Sequence, residues 1–188
     1  HYPSLALTDP GMKGKIHEER YALATFQLAI FARTPVIFAV LADGIGGHRA
    51  GEIAAQIAID SIVKHISKSD GRHPVKALKH AIVTASKEIF NQSSKNEDQV
   101  GMGATTACAL IIGDRLYTAS VGDSRIYRVH NDSIYQLSVD HTWIREALDS
   151  GIIRPHQVPG HPNQHVIRRF LGGPKAPEVD FRLRQSDT

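Results

Sequence analysis

Apolar and polar positions alternate along the chain in blocks that change period. Val36-Ile37-Phe38-Ala39-Val40-Leu41-Ala42 is a continuous apolar run rich in β-branched residues, which predicts a strand buried on both faces. Tyr21 to Ala32 forms another apolar block, a second strand candidate that Arg33-Thr34-Pro35 breaks. A shorter strand is expected over Ser4 to Thr8, ending at the turn signal Asp9-Pro10-Gly11. From Ala50 the period lengthens: Ile53, Ile57, Ile62 and Ile66 trace the stripe of an amphipathic helix. The polar stretch Lys68 to His73 separates it from a second helix, whose apolar face is Leu78, Ile82, Ala85 and Ile89.

Asn91 to Gln99 is polar and reads as a loop. Thr105 to Val129 holds three short β-favouring stretches, divided at Gly113-Asp114 and Gly122-Asp123, and predicts an antiparallel meander. Ser133 to Leu137 adds a fourth strand after the turn at Asn131-Asp132. Thr142 to Ser150 reads as a helix that stops at Gly151, and Pro155, Pro159 and Pro162 mark an irregular segment. A short helix is expected over Asn163 to Leu171 and a strand from Val179 to Leu183. Strands, then a helical hairpin, then a run of strands exclude a doubly wound sheet and point to α+β layers.

Composition narrows the function classes. Of 188 residues, 41% are hydrophobic and 22% charged, enough apolar mass for a packed core. The formal charge is only +3, and the basic residues are scattered, unlike the stripe of a nucleic-acid binder; no nucleic-acid partner is expected. Cys108 is the single cysteine, so neither an internal disulfide nor a cysteine zinc site can form. It lies in an apolar run and reads as a buried structural thiol. No apolar stretch reaches the ~18 residues of a membrane span, and His1-Tyr2-Pro3 has no leader pattern. A cytoplasmic location is the expectation.

Candidate chemistry begins where the buried run ends. Asp43-Gly44-Ile45-Gly46-Gly47-His48 sets a carboxylate at the tip of a rigid strand, before a glycine whose missing Cβ lets its carbonyl turn outward. Carboxylate plus backbone carbonyl is a hard-oxygen set suited to Mg²⁺ or Mn²⁺. By itself the loop is equally compatible with Asp43 capping a turn. A dinucleotide fingerprint is excluded, because Arg49 stands where its third glycine belongs. No Walker A sequence, nucleophile elbow or zinc-protease histidine pair is present.

Three further segments accompany this loop: Thr8-Asp9-Pro10-Gly11 with His17-Glu18-Glu19; Gly101-Met102-Gly103-Ala104-Thr105-Thr106; and Val121-Gly122-Asp123-Ser124-Arg125-Ile126-Tyr127 with Leu137-Ser138-Val139-Asp140-His141-Thr142. In order and spacing, the four motifs resemble the metal-dependent (type 2C) Ser/Thr protein phosphatases in their bacterial form. The resemblance implies an antiparallel β-sandwich flanked by helices. It also implies two Mn²⁺ or Mg²⁺ ions sharing a hydroxide that attacks phosphoserine or phosphothreonine in line. Phosphorylated proteins, with a cognate Ser/Thr kinase among them, are the implied partners, and signalling the implied role.

Carried over residue by residue, Asp43 matches the bridging carboxylate and Gly44 the residue that gives its carbonyl to the second ion. Glu18 and Glu19 fall on an acidic pair that orients metal-bound waters and usually reads Glu-Asp. Asp123 matches a carboxylate associated with a third metal, with a surface-turn role as the alternative. Thr105 and Thr106 read as strand packing, and Arg125 as an ion-pair partner. His48 is either a general acid or substrate contact, or a structural residue at the helix start.

Two departures stand out. Many members place a phosphate-binding arginine four residues before the acidic pair; here that residue is Gly14, flanked by Lys13 and Lys15. The lysines can supply charge without the planar fork of a guanidinium. Two further metal-binding aspartates of the family, in an Asp-Gly and an Asp-Asn pair, have no counterpart. Ser69-Asp70-Gly71 and Asn131-Asp132 lie in the wrong places. Residues 1–188 are therefore expected to be a single catalytic domain that lacks its C-terminal strands and last metal ligands. The alternative reading is a degenerate phosphatase-like module that binds phosphoproteins or regulates a partner.

Overall fold

The long apolar run becomes the middle of the central strand. In the computed structural model, which describes residues 4–7, 18–27 and 34–185, strand β2 spans Pro35–Ile45. It pairs antiparallel with β1, Glu19–Gln27, on one side and with β4, Thr106–Ile112, on the other. Beyond β4 lie β5, Arg115–Val121, and β8, Asp180–Gln185, so the sheet order is β1-β2-β4-β5-β8. A two-residue strand β3, Gly103–Ala104, extends the pairing of β2 at Gly44 and Ile45. The remaining strands, β6 (Tyr127–His130) and β7 (Ser133–Gln136), form a separate two-stranded sheet. The expected antiparallel α+β architecture is thus observed.

Pleating sends Val36, Phe38, Val40 and Ala42 to one face of β2, where they join the main core with Cys108, Leu110, Tyr117, Ala119 and Val121. Two long helices cover that face: α1, His48–Ser67, and α2, Pro74–Ser93. The opposite face is more open. Ile37 is buried there, but Leu41 is 39% exposed and Tyr21 47% exposed. Burial on both faces of β2 therefore holds at Ile37 and fails at Leu41. A cleft of about 850 Å³ lies over this open face, lined by Leu5, Tyr21, Leu23, Ile37 and Leu41 among others.

Helix α2 buries the stripe its period predicts: Leu78, Ile82, Ala85 and Ile89 are all solvent-free. Helix α1 does not. Ala54, Ala55, Ala58, Ile59, Ile62 and Ile66 form its buried side, while Ile53 and Ile57 are only partly buried. Small side chains let α1 approach the sheet and α2 closely, and that approach rotates the isoleucine stripe off the centre of the contact. Cys108 is fully buried, and burial pushes its thiol up to about 12, as a structural thiol requires.

Four expectations are corrected. Residues 4–7 carry no regular secondary structure. The polar stretch from Asn91 begins as helix, since α2 runs to Ser93, and a 3-10 turn follows at Glu97–Gln99. The meander is broken: β6 leaves the main sheet after the Gly122-Asp123 turn and pairs with β7 across a hairpin turn at Asn131 and Asp132, both with positive φ. Finally, 163–171 is a chain of turns, not a helix. Its backbone is taken by tertiary partners: Leu171 exchanges both hydrogen bonds with Ala104, at 2.7 and 3.0 Å, and Trp143 N–H donates to Val166. Helix α3 is the shorter Trp143–Asp149, and the Thr142 hydroxyl caps it by accepting from Arg145 N–H.

Candidate metal centre

Asp43 sits near the end of β2, directly opposite Glu19 of β1. Its backbone is held from both sides. The Thr105 N–H donates to the Asp43 carbonyl at 2.8 Å, and the next amide, Gly44 N–H, donates to the Glu18 carbonyl at 3.2 Å. A carboxylate on such a strand end has little freedom to relax away from its neighbours.

Gly44 is glycine because helix α1 crosses it. A Cβ there would lie 2.1 Å from the Gly51 carbonyl oxygen, in the first turn of α1. Outward rotation of the carbonyl is therefore secondary: the close approach of two backbones excludes every side chain. The same crossing positions Glu18, whose carboxyl carbon would stand 3.3 Å from a Cβ on Gly51. The Glu18 carboxylate thus rests against the first turn of α1, where the helix dipole favours negative charge.

Electrostatics bring the acidic residues together. The Asp43 carboxyl is pushed up from the usual 3.8 to about 6, first by burial and then by the charges of Glu19, Asp123 and Glu18; the Gly44 N–H opposes the shift. All three carboxylates named from the sequence therefore bear on Asp43. Their oxygens, with the Gly44 carbonyl, make a hard donor set, and repulsion among them is what a divalent cation relieves. Asp43 and the Gly44 carbonyl are oxygen donors of the kind such an ion takes. Among the described residues, no three His, Cys, Asp or Glu side chains already stand in metal-binding geometry.

Asp123 arrives from the far side on the turn after β5. Gly122, before it, has φ of 101°, and a Cβ there would come within 2.5 Å of the Thr105 side chain. Thr105 links the two segments: its amide holds Asp43, and its hydroxyl lies 2.6 Å from that of Ser124. Both Thr105 and Thr106 are fully buried; the Thr106 hydroxyl donates to the Leu41 carbonyl at 3.0 Å. The packing role expected of both is present, and Thr105 additionally braces the site.

Arg125 forms the expected ion pair. Its Nε and Nη2 fork onto Asp140, and Gln136 adds a hydrogen bond to the same carboxylate at 2.8 Å. Asp140, and after it the Tyr127 hydroxyl, push the guanidinium further up, so it is committed to this pairing. His48 opens α1, but its side chain lies outside the described set. Lys13, Gly14, Lys15 and His17, as well as the Asp9-Pro10-Gly11 turn, fall outside the described residues. Asp70 accepts from the Arg72 N–H between α1 and α2, away from the centre.

One residue with a structural claim on the site was quoted within a motif but given no role. His141 follows Asp140, is 4% exposed and hydrogen-bonds to Gly122. A histidine beside an aspartate has no periodicity that betrays burial.

Comparison with known proteins adds independent information. The family profile described as Protein phosphatase 2C matches residues 17–147. The serine/threonine phosphatase stp of Listeria innocua is 32% identical over 79% of this chain and 60% of its own length. The serine/threonine protein phosphatase PstP of Mycobacterium tuberculosis is 34% identical over 71% of this chain, but only 26% of its own length. The chain thus spans less than two thirds of each of these relatives. Among solved structures, Stp1 from Staphylococcus aureus superposes with a TM-score of 0.82 at 26% identity, covering 96% of this chain and 70% of that one. The catalytic domain of PstP in complex with two manganese ions superposes at 0.68 and 28% identity, covering 89% and 73%.

Proposed function

The chain belongs to the protein phosphatase 2C family, and from that premise we propose that it serves as a Mn²⁺- or Mg²⁺-dependent protein serine/threonine phosphatase. The observation that carries this reading is the convergence of Glu18, Glu19 and Asp123 on Asp43, next to a glycine carbonyl at a backbone crossing. When bound, divalent cations at such a site activate water and neutralise the charge of the phosphoryl group.

Within this reading each residue has a distinct task. Asp43 would hold divalent ions through its carboxylate, and Gly44 through its carbonyl. Glu18 and Glu19 would orient metal-bound waters. Asp123 would hold a further, weaker ion. Lys13 and Lys15 attract the phosphate without an arginine fork, and His48 contacts the substrate or gives a proton to the leaving alkoxide. Ions of this class take six oxygen ligands and keep several waters. Asp43 and Gly44 by themselves would supply only part of such a ligand set.

A phosphorylated protein is the substrate class, with a Ser/Thr kinase and its targets as partners, in a cytoplasmic signalling role. No described helix is long and apolar enough to cross a membrane.

Hydrolysis of p-nitrophenyl phosphate and of a phosphothreonine peptide, with Mn²⁺, tests the reading on the natural full-length protein. Activity that chelation removes, and that Asp43→Ala lowers by more than about 100-fold, is expected. Metal-independent hydrolysis, or full activity in Asp43→Ala, sinks the proposal.

A further inference from the structure

Residue 141 holds both polar backbone atoms of Gly122. The Gly122 N–H donates to His141 Nδ1 at 3.0 Å, and the His141 N–H donates to the Gly122 carbonyl at 2.9 Å. An amide must donate, so Nδ1 presents its lone pair and the ring proton sits on Nε2. That Nε2–H faces Asp180 Oδ2 at 3.0 Å, in the first residue of β8. Asp180 is steadied in turn by Arg169, at 3.7 Å, and Arg169 also reaches Glu178 at 3.2 Å. On its own backbone, the His141 carbonyl accepts from Arg168 N–H at 2.8 Å. The ring is therefore fixed at both nitrogens and buried, with Arg169 Nη1 also 3.5 Å from Nε2.

We propose that His141 is a positioning residue for the Asp123 carboxylate, acting through the Gly122 amide. Asp123 follows a glycine at φ of 101°, and its main-chain direction depends on that peptide. Main-sheet pairing of β5 ends at Val121, so the sheet does not hold this peptide in place. Residue 141 takes over that task, braced from the far edge of the sheet by Asp180. The distance is spanned by a neutral imidazole, rigid and with two nitrogens at the required separation. This inference rests on reading Asp123 as a metal carboxylate.

Two near-isosteric variants separate the two nitrogens. In His141→Asn the amide oxygen replaces Nδ1 as acceptor for Gly122 but falls short of Asp180. In His141→Gln the amide nitrogen replaces Nε2 towards Asp180 and leaves Gly122 N–H without its acceptor. Hydrogen exchange at the Gly122 amide is measured on the metal-free full chain. Mn²⁺ affinity is measured by calorimetry, and folding is followed by thermal unfolding.

The expected result is that His141→Gln loses protection at Gly122 and binds Mn²⁺ about 10–100-fold more weakly, while His141→Asn keeps both near the parent values. Equal behaviour of the two variants, whether both lose or both keep protection, overturns the proposal even if their unfolding temperatures fall alike. Asp123→Asn distinguishes the two layers. If it binds Mn²⁺ as the parent does, the metal reading of Asp123 fails and the positioning role fails with it. If it binds weakly while His141→Gln binds normally, only the positioning role is overturned.

Discussion

Two segments meet at the candidate centre, and they are held by different means. The end of β2, carrying Asp43 and Gly44, is held by main chain: β1 on one side, Thr105 N–H on the other, and the first turn of α1 pressed onto Gly44. The turn after β5, carrying Gly122 and Asp123, is held by side chains: the His141 ring, the Thr105 side chain and the Ser124 hydroxyl. Main-chain restraint is independent of most substitutions but allows no volume change at the contact. Side-chain restraint can be adjusted one group at a time. Under the proposed function, the shared carboxylate would sit on the first kind of support and the weaker metal site on the second.

The comparison breaks most visibly at its two glycines. Gly44→Ala puts a methyl group 2.1 Å from the Gly51 carbonyl, where only backbone movement can make room. A loss of about 3 kcal/mol or more is expected in urea unfolding. Gly122→Ala meets a side chain at 2.5 Å and adds strain at positive φ, so a smaller loss of about 1–3 kcal/mol is expected. A larger loss at Gly122 than at Gly44 reverses the assignment of main-chain and side-chain restraint.

Charge sharpens the contrast next. Burial and acidic neighbours raise the Asp43 carboxyl from 3.8 to about 6. Between those values the folded protein keeps a proton that the unfolded chain has released. The metal-free protein therefore loses stability as pH rises through this window, and the whole penalty is present above about pH 6. Asp43→Asn removes that slope and raises the melting temperature near pH 7 by about 2–4 °C, with no gain near pH 4. Thermal melts in chelator check this, and a gain that persists at the acidic end counts against it. Excess Mn²⁺ is expected to cancel the advantage, because the cation stabilises the parent carboxylate.

The smallest effects fall on the side-chain braces farther out. Ser124→Ala removes one partner of the Thr105 hydroxyl and is expected to cost about 1 kcal/mol in chemical unfolding. Arg125→Ala breaks a half-exposed pair with Asp140, so the cost is about 0.2–1 kcal/mol, shrinking as salt is added. A salt-independent loss several times larger makes Arg125 part of the core of the site instead of its rim.

Much of this was legible along the chain, for local reasons. The run from Val36 to Ala42 could only be a buried strand, and the glycine-rich loop that follows it locates Asp43. The α2 stripe was correct because Leu78, Ile82 and Ile89 are large enough to dominate their face. In α1 the same logic picked Ile62 and Ile66 correctly, but also Ile53 and Ile57, where the buried contact is made instead by Ala54, Ala55 and Ala58: a tight helix crossing selects small residues, which hydrophobic size does not flag. Helical expectation for 163–171 failed because Ala104 and Trp143 take its backbone groups, partners more than twenty residues distant in both cases and invisible to any local pattern.

Periodicity and turn residues were sufficient to specify the antiparallel α+β layers and the helical hairpin, since each depends on neighbours a few positions away; the acidic residues were named only through the resemblance that the order of four motifs carries. Packing alone decided why Gly44 must be glycine, that Thr105 ties the two segments together, and that His141 is buried behind Asp123. Each of those joins backbone or side-chain atoms across elements remote in sequence. Their energies come from close approach and from satisfying buried polar groups, and neither quantity exists until the chain has folded.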